Sequence, residues 1–192
     1  MKEELLFKKL GFEAKYADLE GRKELLRISG LKKGEILDIG IGDCGCMALF
    51  LARRGFHVMG IDTSSWSINK SRKRLKKIKL RGSFMAQRAN AEKIPFADNY
   101  FDAVISYHSL HHIKDVRRSV QEMIRVCKEG GMILISDLHA KGRKEYEHEP
   151  DKGFLRSIEN ELKKKTKIVR KGKTRINMMY IGIKDNYSSD SF

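Results

Sequence analysis

The chain has 192 residues and a formal net charge of +15, and at that length it should form one domain that buries about 70% of its unfolded surface without disulfides or metals. Cys44, Cys46 and Cys127 cannot all pair within the chain and show no CxxC or Cys/His metal spacing, so no metal site is expected and a reducing cytoplasm fits best. No apolar run approaches the ~18 residues of a membrane helix, and MKEELLFKKL mixes charges unlike a signal peptide, so a soluble, unprocessed protein is expected.

Apolar runs of strand length alternate with helical ones, the pattern of a parallel sheet covered by helices on both faces. Two amphipathic helices, Glu3 to Leu10 and Ala17 to Ile28, precede a first strand at Glu35 to Ile39. Cys46 to Arg54 reads as a helix closed by Gly55, and His57 to Ile61 as a second strand ending at Asp62. Ser64 or Ser65 caps a helix whose narrow stripe of Ile68, Leu75 and Ile78 leaves its basic residues pointing outward. Gly82 to Ala89 and Phe101 to Ser106 give the third and fourth strands, and Asp115 caps a helix from Val116 to Lys128. Gly130 and Gly131 stop that helix before a fifth strand, Met132 to Ser136. A polar loop, a helix from Asp151 to Lys165, and strands Thr166 to Arg170 and Thr174 to Lys184 joined by the turn KGK complete the order. Residues 1–33 should pack on a core of residues 34–185, and residues 186–192 should form a flexible tail.

The charge is concentrated. Lys70 to Arg81 carries eight basic residues and no acid, and Lys152 to Arg175 carries ten against Glu159 and Glu161. Solvated helix faces explain both, and an RNA footprint is the other reading.

The chemistry starts at ILDIGIGDCG, Ile36 to Gly45, where a strand runs into an acid and then glycines. A carboxylate at the mouth of such a loop repels a pyrophosphate, so Asp38 argues against a dinucleotide. It attracts a ligand with an ammonium and a sulfonium, while Gly40 and Gly42 admit a nucleoside close to the backbone; S-adenosylmethionine is such a ligand. Twenty residues after Gly42, Asp62 is placed to accept two hydrogen bonds from a ribose diol. Asn90 offers an amide to an adenine, with Ile94, Pro95 and Phe96 as apolar cover. Thr63 beside Asp62 and Ser106 at the end of the fourth strand complete the expected cofactor contacts.

Through ILDIGIG, GIDTS, NAEKIPFADNYFDAVIS, the LHH of Leu110 to His112, and EMIRVCKEGGMILISD, the chain resembles class I S-adenosylmethionine-dependent methyltransferases. Within that class it is similar to the ubiquinone and menaquinone biosynthesis group. The resemblance implies an α/β, Rossmann-like three-layer sandwich whose seven-stranded, mostly parallel sheet has order 3-2-1-4-5-7-6 and an antiparallel last strand. It also implies that Asp38, Gly40 and Gly42 meet the methionine end of the cofactor, Asp62 the ribose, and Asn90, Ala91 and Glu92 the adenine side. Cys44 stands where that family has a glycine, with Gly45 one place later, and Asn90 stands where aspartate is common.

Methyl transfer from a sulfonium needs alignment, and a base only where the attacking atom keeps its proton near neutral pH. Tyr107, His108, Asp137 and His139, at the ends of the fourth and fifth strands, are the candidates; His111 and His112 read as structural parts of the turn. SYHS lacks the Asn/Asp-Pro-Pro-aromatic pattern of enzymes acting on exocyclic base amines, and no Pro-Cys stands there to attack a pyrimidine. The loop His139 to Pro150 is short, so an open pocket for a bulky acceptor is expected. A small or lipid-like metabolite is therefore the leading acceptor, tRNA or another RNA the second, and a non-catalytic S-adenosylmethionine-binding protein a third reading; a nicotinamide oxidoreductase is the most remote.

Overall fold

The computed structural model describes residues 3–10, 18–149 and 153–185. Its helices are α1 (Glu3–Lys9), α2 (Leu19–Ser29), α3 (Cys46–Ala52), α4 (Ser65–Leu75), α5 (Val116–Val126), α6 (Ala140–Glu145) and α7 (Phe154–Lys165), with a 3-10 turn at Leu110–His112. The strands are β1 (Glu35–Ile39), β2 (His57–Asp62), β3 (Ser83–Arg88), β4 (Phe101–Tyr107), β5 (Cys127–Leu138), β6 (Thr166–Lys173) and β7 (Asn177–Lys184). They form one sheet of order β3-β2-β1-β4-β5-β7-β6, parallel through β5, with β7 antiparallel to both neighbours. This is the topology expected from the sequence.

Alternation along the central strands feeds two cores. Ile36, Ala103, Ile105 and Leu134 face Phe7, Leu25 and Phe50 on one side of the sheet. Leu37, Ile39, Val104, Ile133 and Ile135 face Val120, Met123, Ile158 and Leu162 on the other. Because both faces are covered, the central strands are continuous apolar runs, and the one buried acid in β1, Asp38, is 1% exposed. Sheet order reverses between β1 and β4, so the loops after their carboxyl ends diverge and open a crevice.

Four features differ from those expected from the sequence. Helix α5 gives way at Val126 directly to β5, with Phe101 paired to Cys127 and Ala103 to Met132, so residues 128–131 bulge opposite Asp102. The KGK segment is not a turn: Lys171, Gly172 and Lys173 pair with Tyr180, Met179 and Met178, and the chain reverses at residues 174–176. A helix, α6, occupies part of the expected polar loop, started by His139 as its cap. The basic residues of α4 do not all face outward; Arg72 donates to the carbonyl of Ala86, and Arg74 to that of Asp43 at 3.0 Å. The tail at residues 186–192 and the start of the expected helices at Ala17 and Asp151 lie outside the described residues.

Candidate active site

Two adjoining clefts, of about 490 and 580 Å³, run along the carboxyl edge of the sheet and share Gly40, Gly42, Asp43, His108 and His112. The loop between β1 and α3 is their common wall. Gly40 takes φ +70° where a Cβ would lie 2.5 Å from Ser109 Cβ, and Gly42 takes φ +60° with nothing within 4 Å of an added Cβ. The first glycine is needed for packing; the second leaves open space for a ligand. Cys44 lines the first cleft while Gly45 serves as the left-handed cap of α3, so the cysteine faces the cavity.

The second cleft gathers Asp62, Thr63, Asn90, Ala91 and Glu92 with Ile39, Ile61, Ala89 and Ile113. Asp62 accepts from Gly42 N–H at 3.0 Å and from Ser64 N–H at 2.8 Å, which ties the glycine loop to β2. Each carboxylate oxygen keeps a second lone pair for a ligand hydroxyl. Asn90 Oδ1 accepts from Glu92 N–H at 2.9 Å, and Glu92 Oε1 from Asp115 N–H at 3.0 Å, so both side chains already brace this wall. Apolar cover comes from Ile61, Ala89 and Ile113. Ile94 and Phe96 do not line it: Ile94 is buried in the core, and Phe96 packs edge-on to Phe101 with centroids 5.0 Å apart.

The first cleft is lined by Asp38, Cys44, Met47, Arg22, Tyr107, His108, His111, His112, Tyr146 and His148 among others. Burial pushes the Asp38 carboxyl up to about 8, against the pull of Arg22, and its Oδ2 has no hydrogen-bond partner. A buried, unpartnered oxygen at a cavity wall, beside a glycine loop with space above it, fits the ammonium and sulfonium of S-adenosylmethionine. A hydrogen bond with Cys46, helped by Arg22, brings the Cys44 thiol down to about 7.

The four candidate proton-transfer groups separate. Tyr107 is an anchor: its hydroxyl donates to Asp18 and accepts from Asn177 Nδ2 at 3.1 Å, and burial raises its pKa well above 10. His108 lines both clefts from a left-handed backbone, φ 55°. Asn177 donates through Nδ2 to Asp18 at 2.7 Å, so its Oδ1 accepts from His108 Nε2 and leaves Nδ1 of His108 as an acceptor. Burial lowers the His108 pKa, which keeps the ring neutral at pH 7. Asp137 is fully buried behind the cleft, with Oδ1 2.6 Å from His111 Nδ1 and 2.8 Å from Leu138 N. His139 turns away, accepting from Lys141 N–H at 3.2 Å and reaching the carbonyl of Thr174 at 3.2 Å. Ser106 also lies outside both clefts, buried with its hydroxyl 2.7 Å from that of Ser109, which lines the second cleft in its stead.

Sequence reasoning passed over the residues that long-range packing delivers. Arg22 comes from α2 and places its guanidinium 4.5 Å from the centre of the Tyr107 ring. His111 and His112 were read as structural, yet both line the first cleft with His148. Their adjacency was visible; their meeting with a histidine beyond α6 was not.

The two basic segments stand at opposite edges of the sheet, α4 beside β3 and α7 with β6 at the other end. Several of their charges have acidic partners: Lys70 with Asp43 at 2.7 Å, Lys163 with Glu159 at 2.7 Å, Lys164 with Glu161 at 2.6 Å, and Arg175 with Glu145.

A doubly covered sheet of this order, with a glycine loop after β1 and an acid, Asp62, at the end of β2, is the architecture of the class I S-adenosylmethionine-dependent methyltransferases. The sequence pattern of the methyltransferase-domain family matches residues 37–135, and the chain belongs to that family. It is 34% identical over 111 residues to the ubiquinone/menaquinone biosynthesis C-methyltransferase UbiE of Vibrio cholerae, a match covering 56% of this chain and 42% of that protein. The enzyme of the same name from Klebsiella pneumoniae is 33% identical over 110 residues, covering 56% of this chain and 44% of it. The match thus spans less than half the length of these relatives. Among solved structures, a protein of Pyrococcus horikoshii aligns with TM-score 0.76 at 21% identity over 92% of this chain and 93% of its own. An S-adenosylmethionine-dependent methyltransferase from Aquifex aeolicus aligns with TM-score 0.75 at 19% identity, covering 95% and 99%. S-adenosylmethionine is the cofactor of this class.

Proposed function

We propose that the protein transfers a methyl group from S-adenosylmethionine to a small or lipid-like metabolite by in-line displacement, releasing S-adenosylhomocysteine. The observation that carries this reading is the pair of clefts meeting at Gly40 and Gly42. One has the polar groups a nucleoside needs; the other has room for a second molecule. Asp62 and Thr63 hold the ribose, Asn90, Ala91 and Glu92 border the adenine, and Asp38 faces the cationic end. The cofactor supplies a methyl already activated on sulfur, so the chain's own work is to align the acceptor and exclude water. Where the acceptor is a hydroxyl or enol, His108 takes its proton at Nδ1, the nitrogen not engaged by Asn177. The relatives named as ubiquinone/menaquinone biosynthesis C-methyltransferases support an acceptor of this kind.

The test is tritiated methyl transfer into fractionated cell extract, with and without ribonuclease and lipid extraction. Label in a low-molecular-weight or lipid fraction supports the reading. Label destroyed by ribonuclease overturns it in favour of RNA, and cofactor binding without transfer to any fraction overturns catalysis itself.

A further inference from the structure

Three imidazoles crowd one wall of the first cleft. His111 and His112 come from the turn after β4, and His148 from the loop after α6. Their ring centres are 4.0, 4.6 and 5.4 Å apart, and one ligand nitrogen of each lies within 4.8 Å of the other two. The His111 side chain is 4% exposed, its Nδ1 is 2.6 Å from Asp137 Oδ1, and its Nε2 is buried without a hydrogen-bond partner. A buried ring nitrogen left bare is destabilising unless something binds it. Asp137 itself is wholly buried and does not reach the cleft, so its contact with the site is through His111. A carboxylate that fixes the far nitrogen of an imidazole is the support metal-binding histidines recurrently have.

We propose that His111, His112 and His148 form a binding site for a zinc-like divalent transition ion, with Asp137 orienting His111. Three neutral nitrogen donors suit zinc and its neighbours and do not suit magnesium or calcium, which take oxygen. Tetrahedral zinc at about 2.0–2.1 Å from each nitrogen brings the donors to about 3.4 Å of one another, so the cluster closes by roughly 1–1.5 Å. His112 is exposed and His148 half-buried, so their side chains can make that movement while His111 stays fixed. Three protein ligands leave a fourth position open to the cleft. Resting on the methyltransferase reading, that position takes the acceptor's hydroxyl, enol or thiol. The ion lowers the affinity of that group for its proton, which His108 Nδ1 accepts; the acceptor atom then bonds the methyl carbon as the carbon–sulfur bond breaks and the sulfonium becomes a thioether.

The experiment uses the untagged full chain, stripped by chelator and titrated with zinc chloride in a calorimeter, with cobalt(II) absorbance as a second readout. The expected result is one equivalent of zinc, intense visible bands of tetrahedral cobalt, and at least tenfold weaker binding in His148→Ala and in His111→Ala. Asp137→Asn should weaken zinc by about 10–100-fold. His148→Ala should keep its affinity for S-adenosylhomocysteine, which shows that the fold and the cofactor cleft are intact. Absence of stoichiometric binding, or zinc affinity unchanged in His148→Ala, overturns the site. Zinc binding in a chain that transfers no methyl group upholds the site and removes only the catalytic reading.

Discussion

The cofactor role proposed for Asp38 conflicts with its burial. Burial raises its carboxyl to about 8, so in the free protein at pH 7 it is largely protonated, whereas a cationic ligand needs it ionised. S-adenosylmethionine binding at pH 7 should therefore release a proton, and affinity should rise as pH passes upward through about 8. Calorimetry in buffers of different ionisation enthalpy measures that release, and Asp38→Asn should abolish it; an unchanged proton count in the variant would refute the assignment. The same shift has the opposite sign for folding. Between about pH 4 and 8 the unfolded chain has lost the proton the folded one keeps, so stability without ligand falls as pH rises across that window, a slope Asp38→Asn should flatten. Asp62→Ala should weaken cofactor binding at least tenfold, about 1.4 kcal/mol, by titration calorimetry, and unchanged affinity would remove the ribose role. Asp38, Gly40, Gly42 and Asp62 were legible because a strand ending in an acid and glycines encodes its own local geometry. Ser106 and His139 were not, because side-chain direction is settled by distant partners: the Ser109 hydroxyl for one and the Thr174 carbonyl for the other.

At the level of elements, helix α2 reaches the first cleft through Arg22. Asp18 caps α2 by accepting from Gly21 N–H at 3.1 Å, and its other oxygen accepts from Asn177 Nδ2 at 2.7 Å and from the Tyr107 hydroxyl. That triple contact sets the angle at which Arg22 enters the first cleft. Asp18→Ala removes a cap and leaves two buried donors unpaired, so it should cost about 1–3 kcal/mol, read as a lower urea midpoint with unchanged slope. Periodicity made the helices and central strands readable, while the glycines misled in one place. Gly172 suggested a turn, but a Cβ there would lie 2.6 Å from Ile28 Cδ1, so its smallness admits α2 against the sheet. Reversal instead falls where Asn177 N–H donates to the Thr174 hydroxyl at 3.1 Å and Thr174 N–H to the Asn177 carbonyl at 3.0 Å.

For the whole molecule, a ligand at a hundredfold excess over its dissociation constant stabilises the fold by about 2.7 kcal/mol. In a chain of this size that is a rise in melting temperature of roughly 5–10 °C. S-adenosylhomocysteine should produce it by differential scanning fluorimetry, Asp62→Ala protein should show little of it, and a nicotinamide dinucleotide should produce none. Fold class was readable at this scale because element order alone prunes the topologies. The +15 charge was less informative than its size implies, since the two basic segments end at opposite edges and partly face carboxylates.

The Asp18 contact to Asn177 spans 159 residues. Closing so long a loop is slow and entropically costly, and nothing repays it until the last strand has docked. During synthesis the glycine loop and Asp62 emerge early, but Asp18, Tyr107 and His108 gain their contacts to Asn177 only after β7 has been made. A nascent or C-terminally clipped chain would thus carry the lining of the second cleft beside a first cleft that lacks these contacts.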